Sequence, residues 1–291
     1  MRGRDLASFA ALSALALTIG VGCPEEPKKE PPKPATSAAA HKEGPKEPKK
    51  EEPKKEEPKK GAEGKMGTAT IKGVVEFSGK APEMKVPKKR HEMDFCKTKE
   101  VKYNAVIAEK GHLDETFVQI ANDSLKGDYK PPSKHAEIDQ VDCMYAPRIQ
   151  GVVAGQEIDI KNTDGTMHNV HTYKGAESWF NQAQPKGSPM ISKESPDEPK
   201  VIKFTCDVHP WMRGFVVVAS NPFFAVSDKE GAFTIEKVPA GEYTIQSWHP
   251  HYGLKTEKVK VEDGKTVEVK FKYDGTEKEP AENKDELKDL F

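Results

Sequence analysis

The sequence predicts an all-β fold of packed β-sandwiches, and three observations predict it. From residue 67 onward, short runs alternate apolar with polar residues, the period of a half-buried strand. Clusters of Gly, Pro, Asn and Asp punctuate these runs as turns. No long amphipathic helical pattern competes with them. Strands are expected, in order, at Thr70-Ile-Lys-Gly-Val-Val-Glu-Phe77, Thr116-Phe-Val-Gln-Ile120, Gln156-Glu-Ile-Asp-Ile160, Lys200-Val-Ile-Lys-Phe204, Phe215-Val-Val-Val218, Ala232-Phe-Thr-Ile235, Tyr243-Thr-Ile-Gln-Ser-Trp248, and over residues 255–261 and 266–271. About two hundred residues suffice for two sandwiches or for one elaborated sandwich.

The flanks of this region have a different texture. Residues 1–22 combine Arg2 and Arg4 with an apolar run over residues 6–21 and then Gly22, the order of a secretory signal peptide. Cys23 follows directly, and the junction resembles the lipobox of bacterial lipoproteins, which implies lipidation at Cys23; Gly20 stands where such boxes usually carry Leu. Residues 23–66 are a Pro, Lys and Glu linker with almost no apolar surface to offset chain entropy, so they are expected to be disordered. Held extended by Pro, such a stalk reaches roughly 130 Å. Residues 274–291 read as a disordered acidic tail. The chain is therefore expected to be exported and anchored by lipid to a membrane of the bacterial envelope, in the periplasm.

Across 291 residues, 32% charged and 35% hydrophobic, the formal net charge is only -1. A nucleic-acid partner needs a clear basic excess on a domain, so none is expected.

The chemistry concentrates in Phe204-Thr-Cys206-Asp-Val-His209-Pro-Trp-Met212, where a thiol, an imidazole and a thioether recur every third residue between two apolar strands. Soft sulfur with imidazole suits copper better than hard cations, and a mononuclear copper centre of this kind needs one further equatorial His. Asn162-Thr-Asp-Gly-Thr-Met-His168-Asn-Val-His171 supplies it just after a predicted strand. Zinc fits less well, because thioether is a poor zinc ligand.

Together the two segments resemble the cupredoxins, and among them the amicyanin and plastocyanin type, with its short Cys-x-x-His-x-x-Met loop. The resemblance implies a Greek-key β-sandwich over residues 67–221 that holds one copper ion through His168, Cys206, His209 and Met212. It makes Asn169 the residue that ties the two ligand loops, and sets Asp207 beside the thiolate where smaller residues are common. His171 falls on a non-ligand position; its completing the sphere in place of Met212 is the alternative. Met167, Pro189, Met190, Pro210 and Trp211 would form an apolar docking collar around the His209 edge. The activity implied is one-electron transfer between redox partner proteins, a donor and an acceptor, with no substrate transformed and hence no enzyme. A copper buffer or chaperone would share these ligands but need an exchangeable site; a metal-free envelope binding module is the third reading.

Cys96 and Cys143 remain, and an even pair in an exported chain reads as a disulfide, which would contribute roughly 3–4 kcal/mol by closing its loop. Two isolated thiols, or a second metal site with His91, are the alternatives. Residues 222–273, with Asp228-Lys-Glu-Gly231 as a hairpin turn and Pro239-Ala-Gly241 before a strand carrying Tyr243, resemble the carboxypeptidase regulatory-like, transthyretin- or Ig-like sandwich. Residues 67–125 open either the copper sandwich or this second one. His249 and His251, either side of Pro250, read as solvated loop residues, with a metal held on one strand face by their i, i+2 spacing as the alternative. The whole folded region further resembles exported bacterial proteins of the plastocyanin-like or methylamine-utilisation type.

Overall fold

In the computed structural model, the residues described are 64–83, 86, 93–99, 106–125 and 127–277. The signal peptide, Cys23, nearly all of the linker, His91 and most of the acidic tail lie outside them. In chain order the strands are β1 (Ala69–Phe77), β2 (Ala108–Glu109), β3 (His112–Leu113), β4 (Phe117–Ile120), β5 (Ala136–Val141), β6 (Met144–Ala146), β7 (Ile149–Val153), β8 (Glu157–Asn162) and β9 (His168–Lys174). They continue as β10 (Glu177–Gln184), β11 (Ile191–Glu194), β12 (Lys200–Thr205), β13 (Arg213–Ala219), β14 (Phe224–Val226), β15 (Ala232–Val238), β16 (Gly241–His249), β17 (Gly253–Val261) and β18 (Thr266–Tyr273). A short 3-10 turn at Cys96–Thr98 is the one helical element among the described residues. The predicted all-β class is what the chain adopts.

Among the described residues, four sheets make two sandwiches. In one, β1 pairs in parallel with β18 and antiparallel with β15, and β3 extends the β15 edge. Its facing sheet runs β14-β4-β16-β17. Between them lies a core that includes Ile71, Val75, Leu113, Ile120, Phe223, Ile245 and Phe271, the inward residues of alternating strands. The Asp228 turn works as its sequence suggests: the Asp228 carboxylate accepts from Glu230 and Ala232 N–H, and Gly231 takes φ +68. A Cβ at Gly231 would lie 2.5 Å from the Val75 carbonyl oxygen, so glycine is required there for contact as well as for φ.

The second sandwich is drawn from β5–β13. Sheet β10-β9-β12-β13-β7 faces sheet β11-β8-β5-β6 across a core that includes Ile138, Val152, Ile158, Ile160, Val170, Ile202, Phe204 and Val216. The sequence left residues 67–125 open between the two sandwiches; their strands β1 and β4 pair with β14, β15, β16 and β18.

A third apolar layer joins the sandwiches back to back. Phe117 and Trp248 from one meet Ile149, Val201 and Val217 from the other. Gly151 on β7 permits this approach, since a Cβ there would come within 2.5 Å of the Phe224 ring and 2.6 Å of Phe117. The buried Arg148 guanidinium pairs with Glu115 across the same seam. Ser220 N–H and hydroxyl both donate to Asn122 Oδ1, at 2.7 Å each.

Candidate metal centre

Two loops at one end of the second sandwich converge. The first joins β8 to β9 and is shaped by Asn162, whose Oδ1 accepts from Asp164 N–H at 3.0 Å and whose Nδ2 donates to the Thr166 and Gln184 carbonyls. It delivers His168 at the start of β9. The second joins β12 to β13: the His209 carbonyl accepts from Met212 N–H at 2.9 Å, with Pro210 at the turn's second position, where its fixed φ fits. That turn carries Cys206, His209 and Met212 within seven residues, all three buried.

The ligand atoms of His168, Cys206 and His209 all lie within 4.8 Å of one another. The two Nδ1 atoms face each other at 2.8 Å, and Cys206 Sγ stands 3.5 Å from His209 Nδ1. His168, Cys206, His209 and Met212 are 0%, 2%, 1% and 0% exposed, so the cluster is closed to solvent. Burial pushes the Cys206 thiol up, but hydrogen bonds from His168, His209 and the Asn169 N–H outweigh it and hold the pKa at about 6. A thiolate poised between two imidazoles, with a buried thioether in the same turn, is a donor set that suits copper.

The surrounding groups hold these side chains in place. Asn169 N–H points at Cys206 Sγ (3.4 Å), and Asn169 Oδ1 accepts from Asp207 N–H (2.6 Å) and Val208 N–H (3.3 Å), which ties one loop to the other. Asp207 faces outward, where its carboxylate accepts from Asn169 and Asn181 Nδ2 and meets His171 Nδ1 at 3.0 Å. The hydrogen bond to His171, with those from Asn181 and Asn169, outweighs burial and lowers the Asp207 pKa. With its Nε2 on Ser178 Oγ at 2.9 Å, His171 has both ring nitrogens engaged away from the cluster.

Of the expected docking collar, Met167 (46% exposed), Met190 (50% exposed), Pro189 and Pro210 are on the surface. Trp211 is not: it is buried, and its indole N–H donates to the Cys143 carbonyl at 3.0 Å. Cys96 and Cys143 form a disulfide, so the even-pair reading is the one the structure adopts.

Sequence reasoning missed two residues that organise the centre. Asp164, four residues before His168, receives its Nε2 hydrogen at 2.8 Å and also accepts from the Asp142 and Cys143 N–H groups at 2.7 and 2.8 Å. An Asp in Asn-Thr-Asp-Gly reads as a turn former, and only its spacing to His168 could have flagged it. Tyr145 is the other: its buried hydroxyl donates to the Thr205 carbonyl (2.8 Å) and the Asn169 carbonyl (3.1 Å), bracing both ligand strands from the opposite sheet.

Comparison with known proteins adds five findings. Residues 223–273 match the family model described as the second beta sandwich domain of the NOMO1-like subunit of the BOS complex, over the stretch whose sequence resembled the carboxypeptidase regulatory-like module. No curated protein matches the chain. Among solved structures, the chain is similar to a novel purple cupredoxin from Nitrosopumilus maritimus, at 22% identity and TM-score 0.26, over 29% of this chain and 99% of that one. It is also similar to amicyanin from Paracoccus versutus, at 20% identity and TM-score 0.26 over 35% and 96% of the two chains. A Cu-containing nitrite reductase from Thermus scotoductus matches at 16% identity and TM-score 0.27, over 31% of this chain and only 25% of that enzyme.

Proposed function

We propose that this chain is a mononuclear copper protein that carries single electrons, with His168, Cys206, His209 and Met212 as ligands. The observation that carries the reading is the convergence of a low-pKa thiol and two imidazoles within 4.8 Å, from loops far apart in sequence. Bound there, copper would supply a one-electron couple between Cu(I) and Cu(II).

The protein's own residues supply rigidity and exclusion. Asn169 and Tyr145 fix the spacing of the two loops, so the ligands need little rearrangement when charge changes. Burial of all four side chains keeps water off the sulfur and argues against an exchangeable buffer site. Partner redox proteins would dock briefly on the exposed Met167, Pro189, Met190 and Pro210 surface, in keeping with small transient interfaces. Export, lipidation at Cys23 and tethering through the Pro-rich linker complete the proposal and rest on the sequence. A Cys23→Ala variant, fractionated between membrane and soluble pools, is expected in the soluble pool.

The decisive measurement is the visible and EPR spectrum of the purified protein with one equivalent of Cu(II). An intense thiolate-to-copper band with narrow hyperfine splitting, and fast reversible reduction, is expected. Cys206→Ser should abolish the band while far-UV circular dichroism stays unchanged; full colour in that variant would refute the ligand assignment.

A further inference from the structure

The Cys96–Cys143 disulfide does more than cross-link two loops: it lies against the metal centre. Both sulfurs are within 4.8 Å of a His209 ring nitrogen, and the Cys143 sulfur is equally close to an Asp164 carboxylate oxygen and a His168 ring nitrogen. Cys96, Cys143 and His209 are all buried.

Much of this arrangement is held independently of the S–S bond. Cys143 sits at the tip of the β5–β6 hairpin with Asp142, both at positive φ (59 and 53), and the Asp164 carboxylate grips both of their N–H groups. Trp211 fastens the Cys143 carbonyl. Opposite, Cys96 opens the 3-10 turn, where the Phe95 ring packs so closely on Gly165 that a Cβ there would sit 2.7 Å from it. The Lys99 ammonium and the Asp142 carboxylate pair at 2.7 Å between the two segments.

We propose that this disulfide is a reducible cover on the centre, and that its two thiols, once released, combine with His209 into a second site for a thiophilic metal ion. An external dithiol provides the electrons. Two electrons break the Cys96–Cys143 bond, the dithiol closes to its own disulfide, and its two protons pass to the Cys96 and Cys143 sulfurs; metal binding then releases those protons to water. Because both sulfurs are buried, attack requires residues 93–99 to lift, so reduction is slow without denaturant. Ligand atoms around a tetrahedral ion at ordinary metal–sulfur and metal–nitrogen distances stand roughly 3.5 Å apart. Reaching that spacing from a bonded pair would take side-chain rotation at Cys96 and Cys143 to part the two sulfurs.

The test uses the full chain carrying Cys23→Ser and Cys206→Ser, so Cys96 and Cys143 are its only cysteines, the thiolate of the proposed copper centre is absent and the outcome is independent of the electron-carrier reading. The protein is compared oxidised and after anaerobic treatment with dithiothreitol and desalting, with thiols counted by a chromogenic disulfide and folding followed by circular dichroism. Cd(II) is the probe, read by its ultraviolet thiolate-to-metal band. The reduced protein is expected to stay folded, show two thiols and bind one equivalent of Cd(II) with that band, while the oxidised protein shows none. Adding Cys143→Ser should abolish the band, and adding His209→Gln should weaken binding tenfold or more. Two titratable thiols in a folded protein with no band would overturn the proposal, as would unfolding on reduction, a disulfide that resists reduction while folded, or affinity indifferent to His209→Gln.

Discussion

Asp164 accepts three hydrogen bonds, from the Asp142 and Cys143 N–H groups of the β5–β6 hairpin and from the ring of His168. A carboxylate behind a ligating imidazole fixes its tautomer and raises its basicity, so Asp164→Asn should lower copper affinity about 10- to 100-fold, measured by competition with a chelator. His249 is the second residue whose setting has measurable consequences. It is wholly buried, its Nε2 has no hydrogen-bond partner, and burial together with the Arg148 charge and His251 holds its pKa well below the ordinary value. Below about pH 6.5 the unfolded chain therefore takes up a proton that the folded chain refuses, and stability falls as pH falls, by up to about 1.4 kcal/mol per pH unit from this group. Denaturant titrations between pH 7 and pH 5 should show this slope, and His249→Phe should flatten it. The sequence singled out His168, Cys206 and His209 by residue type and spacing, and the fold brings their ligand atoms within 4.8 Å of one another. It misrepresented His249, which reads as a loop histidine beside Pro250 but closes β16 against the stacked Tyr252 ring, 5.2 Å away. Burial of that kind depends on the opposite strand, which no local pattern reports.

At the scale of elements, the strands with regular alternation were readable, and β1, β12, β16 and β18 begin within two residues of their expected starts. The unread ones are instructive. β10, Glu177–Gln184, is largely exposed and polar, and is held mainly by its antiparallel ladder to β9, which shifts register between Ser178 and Phe180. β9 itself carries His168 and Asn169 at the cluster and His171 turned away from it, polar residues in place of the usual strand composition. Gly151 shows the same competition inside β7: a residue that weakens a strand is kept because two aromatic rings occupy the space of its side chain. Gly151→Val should therefore destabilise the protein by about 1–3 kcal/mol through overpacking, with partial recovery on adding Phe224→Ala. Chemical unfolding of the single and double variants measures both effects.

At the scale of the whole molecule, the two sandwiches share a largely apolar seam. Residues 136–219 expressed alone would bare Ile149, Val201, Phe215 and Val217 and leave Arg148 without Glu115. Light scattering of that fragment should report self-association where the full chain remains dispersed. This layering was not legible in the sequence, because apolar residues on both faces of β12 and β13 look the same whether they face one core or two. The pairing of β1 with β18 was equally hidden, since strands so distant in sequence are joined only by register. That register runs without a break from Thr70 beside Thr266 to Phe77 beside Tyr273, while β15 grips the other edge of β1. A pull applied through residue 64, along the direction of β1, would load these ladder bonds in shear, all together, instead of peeling them singly. The strand nearest the chain's leading segment thus behaves as a mechanical clamp, able to bear tension while the loops at the far sandwich stay undisturbed.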